Sequence, residues 1–150
     1  MVKLQEAENQ IVVDYEVYEQ RPHDSDLLIA AIEIHRTKLG RVPRLVAADA
    51  GFYSAKNTAA ANGMGVKRVC IPNRSTKSPE RKREQKKRWF RNGQKWCTGC
   101  EGRISVVKRR HGLDRCRYKG FVGMNRWIGL GIIADNLVNM GRAMQAKSRA

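Results

Sequence analysis

Two carboxylates in this chain occupy positions from which they can do chemistry together. Asp49 closes the apolar run 44–48, which is typical of a strand, and Glu101 begins the amphipathic run 101–111. Cleavage of a phosphodiester profits from two divalent ions about 4 Å apart. Mg²⁺ accepts carboxylate oxygens from separate elements and keeps much of its water. The pair therefore predicts a metal-dependent site that cuts nucleic acid.

Each of these carboxylates also has a structural interpretation, and the spacing alone leaves both open. Asp49 precedes Ala50-Gly51, which is typical of a turn-forming aspartate. Glu101 can balance Arg103 and Lys108 as an acidic residue at a helix start. On a helix of 3.6 residues per turn, positions 97, 101 and 108 share nearly one face.

The charge of the chain is concentrated in one segment. The total is +16, and residues 67–119 carry +15 of it, while residues 1–66 carry −2 and residues 120–150 carry +3. Such a patch attracts polyanions through counterion release, so double-stranded DNA is the expected partner. A basic surface kept for solubility is the alternative. The expected DNA-binding residues are Lys87, Arg88, Arg103, Lys108, Arg109 and Arg110.

No segment is long enough to cross a membrane. The longest apolar run, 127–134, has eight residues, whereas a spanning helix needs about 20. Lys3, Glu6 and Glu8 interrupt the apolar core that a signal peptide would need. We expect no membrane partner and a cytoplasmic location.

The four cysteines are Cys70, Cys97, Cys100 and Cys116. Without an export signal they are most simply reduced thiols. Cys97-x-x-Cys100 with His111 and Cys116 has the ligand types of a zinc site. A zinc site usually needs a turn between its ligand pairs, whereas one helix is expected to lead from Cys97 to His111. We expect no zinc, and a zinc-stabilised regulator is the alternative.

The element order in residues 1–72 is typical of an α/β domain. The predicted elements are a hairpin of 2–8 and 11–18, a helix capped by Asp24 or Ser25 and ended by Gly40, a buried strand 44–48, a helix from the cap Ser54 to Ala61, and a strand 66–71. Strand, helix and strand in this order imply a crossover and a parallel portion of the sheet.

The second half of the chain changes character. Residues 73–95 predict a basic arm that is mobile or ordered by DNA, and two helices follow at about 96–110 and 125–144. An apolar stripe on the last helix predicts a core face. Its members are Trp127, Leu130, Ile133, Leu137, Met140 and Met144. We interpret the chain as one domain with three parts: 1–72 as sheet and crossover helices, 73–95 as the arm, and 96–150 as C-terminal helices.

Two stretches resemble the C-terminal half of a bacterial insertion-sequence DDE transposase. They are residues 46–54, Val-Ala-Ala-Asp-Ala-Gly-Phe-Tyr-Ser, and residues 101–120, with six residues between Glu101 and Lys108. The resemblance implies an RNase H-like mixed sheet flanked by helices, with a helical C-terminus. It also implies cleavage at transposon ends with two Mg²⁺ or Mn²⁺ ions and joining of the 3′ hydroxyl to target DNA. The implied protein partner is another copy or a full-length transposase, at the bacterial nucleoid.

The resemblance assigns roles to particular positions. It makes Asp49 the second and Glu101 the third catalytic and metal-binding acid, and Lys108 the lysine of the Tyr-Arg-Glu-Lys signature. The tyrosine and arginine positions of that signature fall on Gln94 and Cys97.

The family's first aspartate has no clear counterpart here. It lies on the opening strand of the sheet, ahead of a hairpin like 2–18. Asp14 is a candidate substitute, but its Val-Val-Asp-Tyr context predicts an exposed strand carboxylate. We therefore expect a partial domain without its first strand and first acid, with weak or absent catalysis. The alternative is a non-catalytic basic DNA-binding remnant that competes with full-length transposase.

Overall fold

A computed structural model describes residues 1–148, except the side chain of Glu101. The strands are β1 Val2–Glu6, β2 Val12–Val17, β3 Leu45–Ala47 and β4 Arg68–Cys70. The helices are α1 Asp24–Leu39, α2 Ala55–Gly63, α3 Pro79–Gln85, α4 Arg88–His111 and α5 Gly120–Ser148.

These elements belong to two compact units. One, the hairpin unit, contains Met1–Arg21 and the chain from Cys100 onward, and the other, the crossover unit, contains Pro22–Gly99. The predicted division of one domain into 1–72, 73–95 and 96–150 stays a prediction. Helix α4 contributes residues to both units.

The hairpin unit begins with the predicted β-hairpin. Strands β1 and β2 pair antiparallel, with Val2 opposite Val17 and an irregularity after Gln5. Asn9 and Gln10 have positive φ angles of 59° and 62°, a conformation that asparagine tolerates better than most residues. The prediction of a hairpin is confirmed.

The hairpin packs on helix α5. Val12 of β2 forms a small apolar core with Ile128 and Ile132. The Asn136 side chain accepts a hydrogen bond from Val12 N at 2.9 Å and donates one to Val12 O at 2.8 Å. A buried backbone amide and carbonyl are thus satisfied by one amide side chain, which fixes the strand against the helix.

The predicted core stripe of α5 is wrong for five of its six residues, while the sixth, Trp127, is half-buried. Leu130, Ile133, Leu137, Met140 and Met144 are 51–70% exposed. The buried face of α5 instead includes Ile128, Ile132, Asp135 and Asn139. The buried face of α5 carries the polar residues Asp135, which contacts Arg103 of α4, and Asn139, which donates to the carbonyl of Gln10. A stripe chosen by apolar residues therefore misses this face.

The crossover unit opens with α1, which ends at Gly40 as predicted. Gly40 has a φ of 66°, which glycine adopts without the strain other residues incur. The predicted cap is displaced. His23 is the N-cap residue, without a side-chain cap bond, and Asp24 lies inside the first turn, where its charge favours the helix dipole.

Strands β3 and β4 are parallel, as the crossover predicts. Leu45 lies opposite Arg68 and Ala47 opposite Cys70, and α2 connects them. Ser54 caps α2 by accepting a hydrogen bond from Asn57 N at 2.9 Å. A buried cluster of Leu28, Ile32, Ala61, Val66, Val69 and Ile71 holds the helices on the strands. Burying one such aliphatic side chain stabilises the fold by about 1.5–3 kcal/mol.

The expected basic arm is not an irregular segment. Helix α3 and the first turns of α4 occupy most of residues 79–95. Arg81 donates to the carbonyl of Ile71 at 2.8 Å and lies over the rings of Tyr53 and Phe90 at 5.4 and 5.5 Å. Phe90 is 2% exposed. One arginine and one aromatic ring therefore anchor a segment whose composition suggested disorder.

The described strands form two separate two-stranded sheets, β1–β2 and β3–β4. Residues 1–148 thus show a mixed α/β fold in which helices predominate and the sheets are small. The RNase H-like arrangement that the resemblance implies stays a prediction. Within the same part of the chain, no helix has both the length and the apolar character needed to cross a membrane.

Candidate active site and nucleic-acid interface

Asp49 lies just beyond the carboxyl end of β3, where the chain enters a short helical turn at Ala50–Phe52. The backbone carbonyl of Asp49 accepts from Phe52 N at 3.1 Å, whereas its side chain makes no cap hydrogen bond. The residue is exposed. The turn therefore uses the backbone of Asp49 and leaves the carboxylate accessible.

The carboxylate of Asp49 contacts helix α4. Its Oδ1 lies 3.6 Å from the Sγ of Cys97, which donates a weak hydrogen bond. The resemblance assigns Cys97 to the arginine position of the signature, so a thiol lies beside Asp49 where that signature has a guanidinium. The close approach of α4 to the strands depends on Gly93, where a Cβ would lie 2.7 Å from Cys70 Sγ.

Glu101 lies within α4, but its side chain is outside the described part of the structure. Its predicted role as a catalytic and metal-binding acid stays a prediction.

Gln94, which the resemblance assigns to the tyrosine position of the signature, has a structural role. Its Nε2 donates to the carbonyl of Cys70 at 3.1 Å. Burial raises the pKa of the Cys70 thiol, and the hydrogen bond from Gln94 only partly opposes this shift. Cys70 is therefore an unreactive core thiol that donates to Phe90 O at 3.0 Å.

Arg103 differs from the other predicted DNA-binding cations because it is buried. It is 8% exposed, and its Nη1 lies 3.4 Å from both Asp135 Oδ2 and Asn139 Oδ1. Asp135 is fully buried, and its other oxygen faces His111 Nε2 at 3.3 Å. A buried carboxylate needs such partners, so Arg103 holds α4 to α5. Its buried guanidinium is not accessible to DNA phosphates, contrary to the prediction.

The remaining predicted cations are accessible. Lys87 and Arg88 are exposed on the crossover unit, and Lys108, Arg109 and Arg110 are exposed on the hairpin unit. Long cationic side chains in water are suited to phosphate contacts.

Asp14, the considered substitute for the first acid, is not the exposed carboxylate that its sequence context predicts. Its side chain is 10% exposed and lies 3.8 Å from Lys3 Nζ, which also pairs with Glu16. Asp14 therefore has a structural partner within the hairpin.

Among the side chains that the structure describes, no three of the types His, Cys, Asp and Glu are grouped as a metal site would require. His111 faces Asp135, and Cys116 Sγ donates to the carbonyl of Tyr118 at 3.2 Å. The expected magnesium site therefore rests on Asp49 with the undescribed side chain of Glu101.

Comparison with known protein families identifies the class. Residues 57–141 match the family model of the transposase DDE domain. This match covers more than half of the chain, and the chain belongs to that family. Glu101 and Lys108 lie within the matched segment, whereas Asp49 precedes it.

Neither the curated proteins nor the solved structures provide a match to this chain. The DDE domain family is one of transposition enzymes that act on DNA, and this membership supports the predicted class of function.

Proposed function

We propose that this chain supplies the second and third carboxylates of a DDE transposase, Asp49 and Glu101. In this proposal they hold Mg²⁺ or Mn²⁺ for cleavage of DNA at insertion-sequence ends and for joining of the 3′ hydroxyl to target DNA. The observation that carries the proposal is the accessible carboxylate of Asp49 beside Cys97 of α4, in a chain that belongs to the DDE family.

The spacing along α4 supports a role for Glu101 near Asp49. Cys97 contacts Asp49, and Glu101 follows Cys97 by four positions on the same helix. Residues i and i+4 of a helix share a face, with Cβ atoms about 5–6 Å apart. In the proposal, this spacing would put a second carboxylate on the face that carries Cys97, where it would share a cation with Asp49.

The chemistry of these donors suits a hard divalent ion. Carboxylate oxygens are the ligands that Mg²⁺ prefers, and bound ions would stabilise the attacking and leaving oxygens of the displaced phosphodiester. Asp49 and Glu101 would bind the ion, and Lys108 would hold the adjacent phosphate by charge. Two carboxylates leave a three-acid centre incomplete, so we propose weak or absent catalysis by these 150 residues alone.

The basic surface would bind the phosphates of double-stranded DNA. Lys87, Arg88, Lys108, Arg109 and Arg110 are the proposed contacts, since all five are exposed. Each phosphate neutralised steepens the salt dependence of binding by about 0.9 in the slope of log K against log salt. The proposed place of action is the bacterial nucleoid, with another copy or a full-length transposase as protein partner.

The decisive experiment measures Mg²⁺- or Mn²⁺-dependent nicking of DNA that carries the element's own terminal repeats. The proposal predicts little or no nicking by the 150 residues. Any metal-dependent nicking that does occur should be lost in Asp49→Asn and Glu101→Gln. Asp114→Asn is the matched control, since Asp114 is an exposed carboxylate in a turn after α4.

The outcomes separate the two parts of the proposal. Robust nicking that Asp49→Asn abolishes would refute the incomplete centre but keep the metal site. Nicking that survives both Asp49→Asn and Glu101→Gln would refute the site itself.

A second function is favoured by the exposed cations. The chain would then be a non-catalytic DNA-binding remnant that competes with full-length transposase for DNA ends. In that case binding would weaken steeply with salt, and neither metal nor Glu101→Gln would change it. Inhibition of a full-length transposase by added chain would support this function.

A further inference from the structure

The loop between α4 and α5, residues 112–119, and the first turn of α5 expose two aromatic rings among cations. Tyr118 is 48% exposed and Phe121 is 38% exposed. The cations beside them are Arg115, Arg117 and Lys119, and all three side chains are exposed. This surface therefore offers both positive charge and ring faces to a ligand.

Tyr118 is fixed on α5 although about half of it is exposed. Its ring lies 5.7 Å from the ring of Trp127. The same tryptophan ties the start of the loop to α5, because its Nε1 donates a hydrogen bond to the carbonyl of Gly112 at 3.1 Å. Gly123 permits the close approach, since a Cβ there would lie 2.7 Å from Tyr118 Cβ. A ring that is held before binding loses little conformational freedom when a ligand arrives.

The combination of rings and cations suits an unpaired nucleic acid strand. Proteins that bind single strands stack the bases on aromatic side chains and hold the backbone in a positively charged groove. In a duplex, neighbouring bases cover the faces of each base, so a paired strand would use the cations alone. An anionic lipid surface also attracts cations and aromatic rings, but the family membership of the chain favours DNA.

We propose that Tyr118 and Phe121 stack on unpaired bases of a DNA strand, while the three cations of the loop hold the adjacent phosphates. This inference rests on the proposed action on DNA. It adds a site and a form of the ligand, because the contacts proposed above involve only the phosphates of double-stranded DNA.

Fluorescence anisotropy with three labelled probes tests the inference: a single strand, a strand of the same length that consists of abasic sites, and the duplex. We expect the wild-type chain to bind the strand with bases more tightly than the abasic strand, although both carry the same phosphates. Tyr118→Ala should weaken binding to the strand with bases about tenfold, as expected for the loss of one base–aromatic stack. Binding to the abasic strand and to the duplex should not change.

Conservative variants separate stacking from folding. Tyr118→Phe keeps the aromatic face and should bind as the wild type does. Tyr118→Leu keeps an apolar contact with Trp127 without an aromatic face, and should lose affinity as Tyr118→Ala does. Leu137→Ala is the matched control, because it removes an exposed apolar side chain of α5 outside the site. Circular dichroism checks that each variant retains its helices.

The outcomes also separate this inference from the proposed function. Equal affinity of the wild type for the abasic strand and the strand with bases would overturn the inference, and so would an equal loss of duplex and single-strand binding in Tyr118→Ala. Either result leaves the proposed function standing if the wild type binds the duplex. Failure of the wild type to bind any of the three probes would overturn both. Binding to anionic lipid vesicles that Tyr118→Ala abolishes, with DNA binding unchanged, would assign the rings to a lipid surface and overturn the inference alone.

Discussion

At the scale of single residues, the candidate site differs from its family pattern most clearly at Cys97. The resemblance places an arginine there, and the structure places a thiol 3.6 Å from Asp49. A thiol is a weak donor without positive charge, so it cannot replace the phosphate contact of a guanidinium. If the assignments of the resemblance hold, Asp49, Glu101 and Lys108 match the signature and Cys97 departs from it.

Cys97→Arg should restore that contact. We expect tighter binding to DNA ends and a salt dependence steeper by about one unit of slope. Titration of labelled DNA at several salt concentrations measures both quantities.

Thr98→Arg is the control, because it adds the same charge at the neighbouring exposed position. Equal effects of Cys97→Arg and Thr98→Arg would show a general gain from charge and contradict a specific role for position 97.

At the scale of elements, periodicity identified the elements of residues 1–72. It did not identify the buried face of α5. The hairpin, α1, α2 and the parallel pair β3–β4 follow from alternation, capping residues and glycine stops. The exposure of the apolar face of α5 from Leu130 to Met144 could not be predicted in this way, because it depends on which elements pack against the helix. Composition also misjudged α3, since neither the cation–π contacts of Arg81 nor its bond to Ile71 can be read from a lysine- and arginine-rich segment.

Gly93 tests how tightly α4 packs on β4. A Cβ at Gly93 would lie 2.7 Å from Cys70 Sγ and 3.0 Å from Cys70 Cβ, and the thiol is buried. Gly93→Ala should destabilise the chain by about 1–3 kcal/mol through overpacking, partly offset by the higher helix propensity of alanine. Urea unfolding followed by tryptophan fluorescence measures the change.

Gly99→Ala is the matched change on the same helix, where a Cβ would meet nothing within 4 Å. It should stabilise the helix by roughly 0.5–1 kcal/mol. If Gly93→Ala were as stabilising as Gly99→Ala, the close contact between α4 and β4 would be refuted.

At the scale of the whole molecule, the net charge bears on the partner that the chain binds, and the carboxylates bear on whether it can catalyse a reaction. The +16 charge and the DDE family membership agree on DNA as the partner class. The sequence indicated Asp49 as an acid at a strand end, and the structure shows its carboxylate free of a capping bond. The burial of Arg103 could not be predicted, because Asp135 is 32 positions away along the chain.

The proposed function requires Asp49 and Glu101 to bind one divalent ion together. Titration of Mn²⁺ followed by electron paramagnetic resonance of the free ion tests it most directly, on the wild-type chain, Asp49→Asn, Glu101→Gln, the double variant and Asp114→Asn. We predict that either single substitution lowers the affinity for Mn²⁺ and that Asp114→Asn binds Mn²⁺ as the wild type does. The double variant should bind Mn²⁺ scarcely less tightly than the single variant with the lower affinity. Equal Mn²⁺ binding by all five proteins, or independent losses that add in the double variant, would contradict a shared ion.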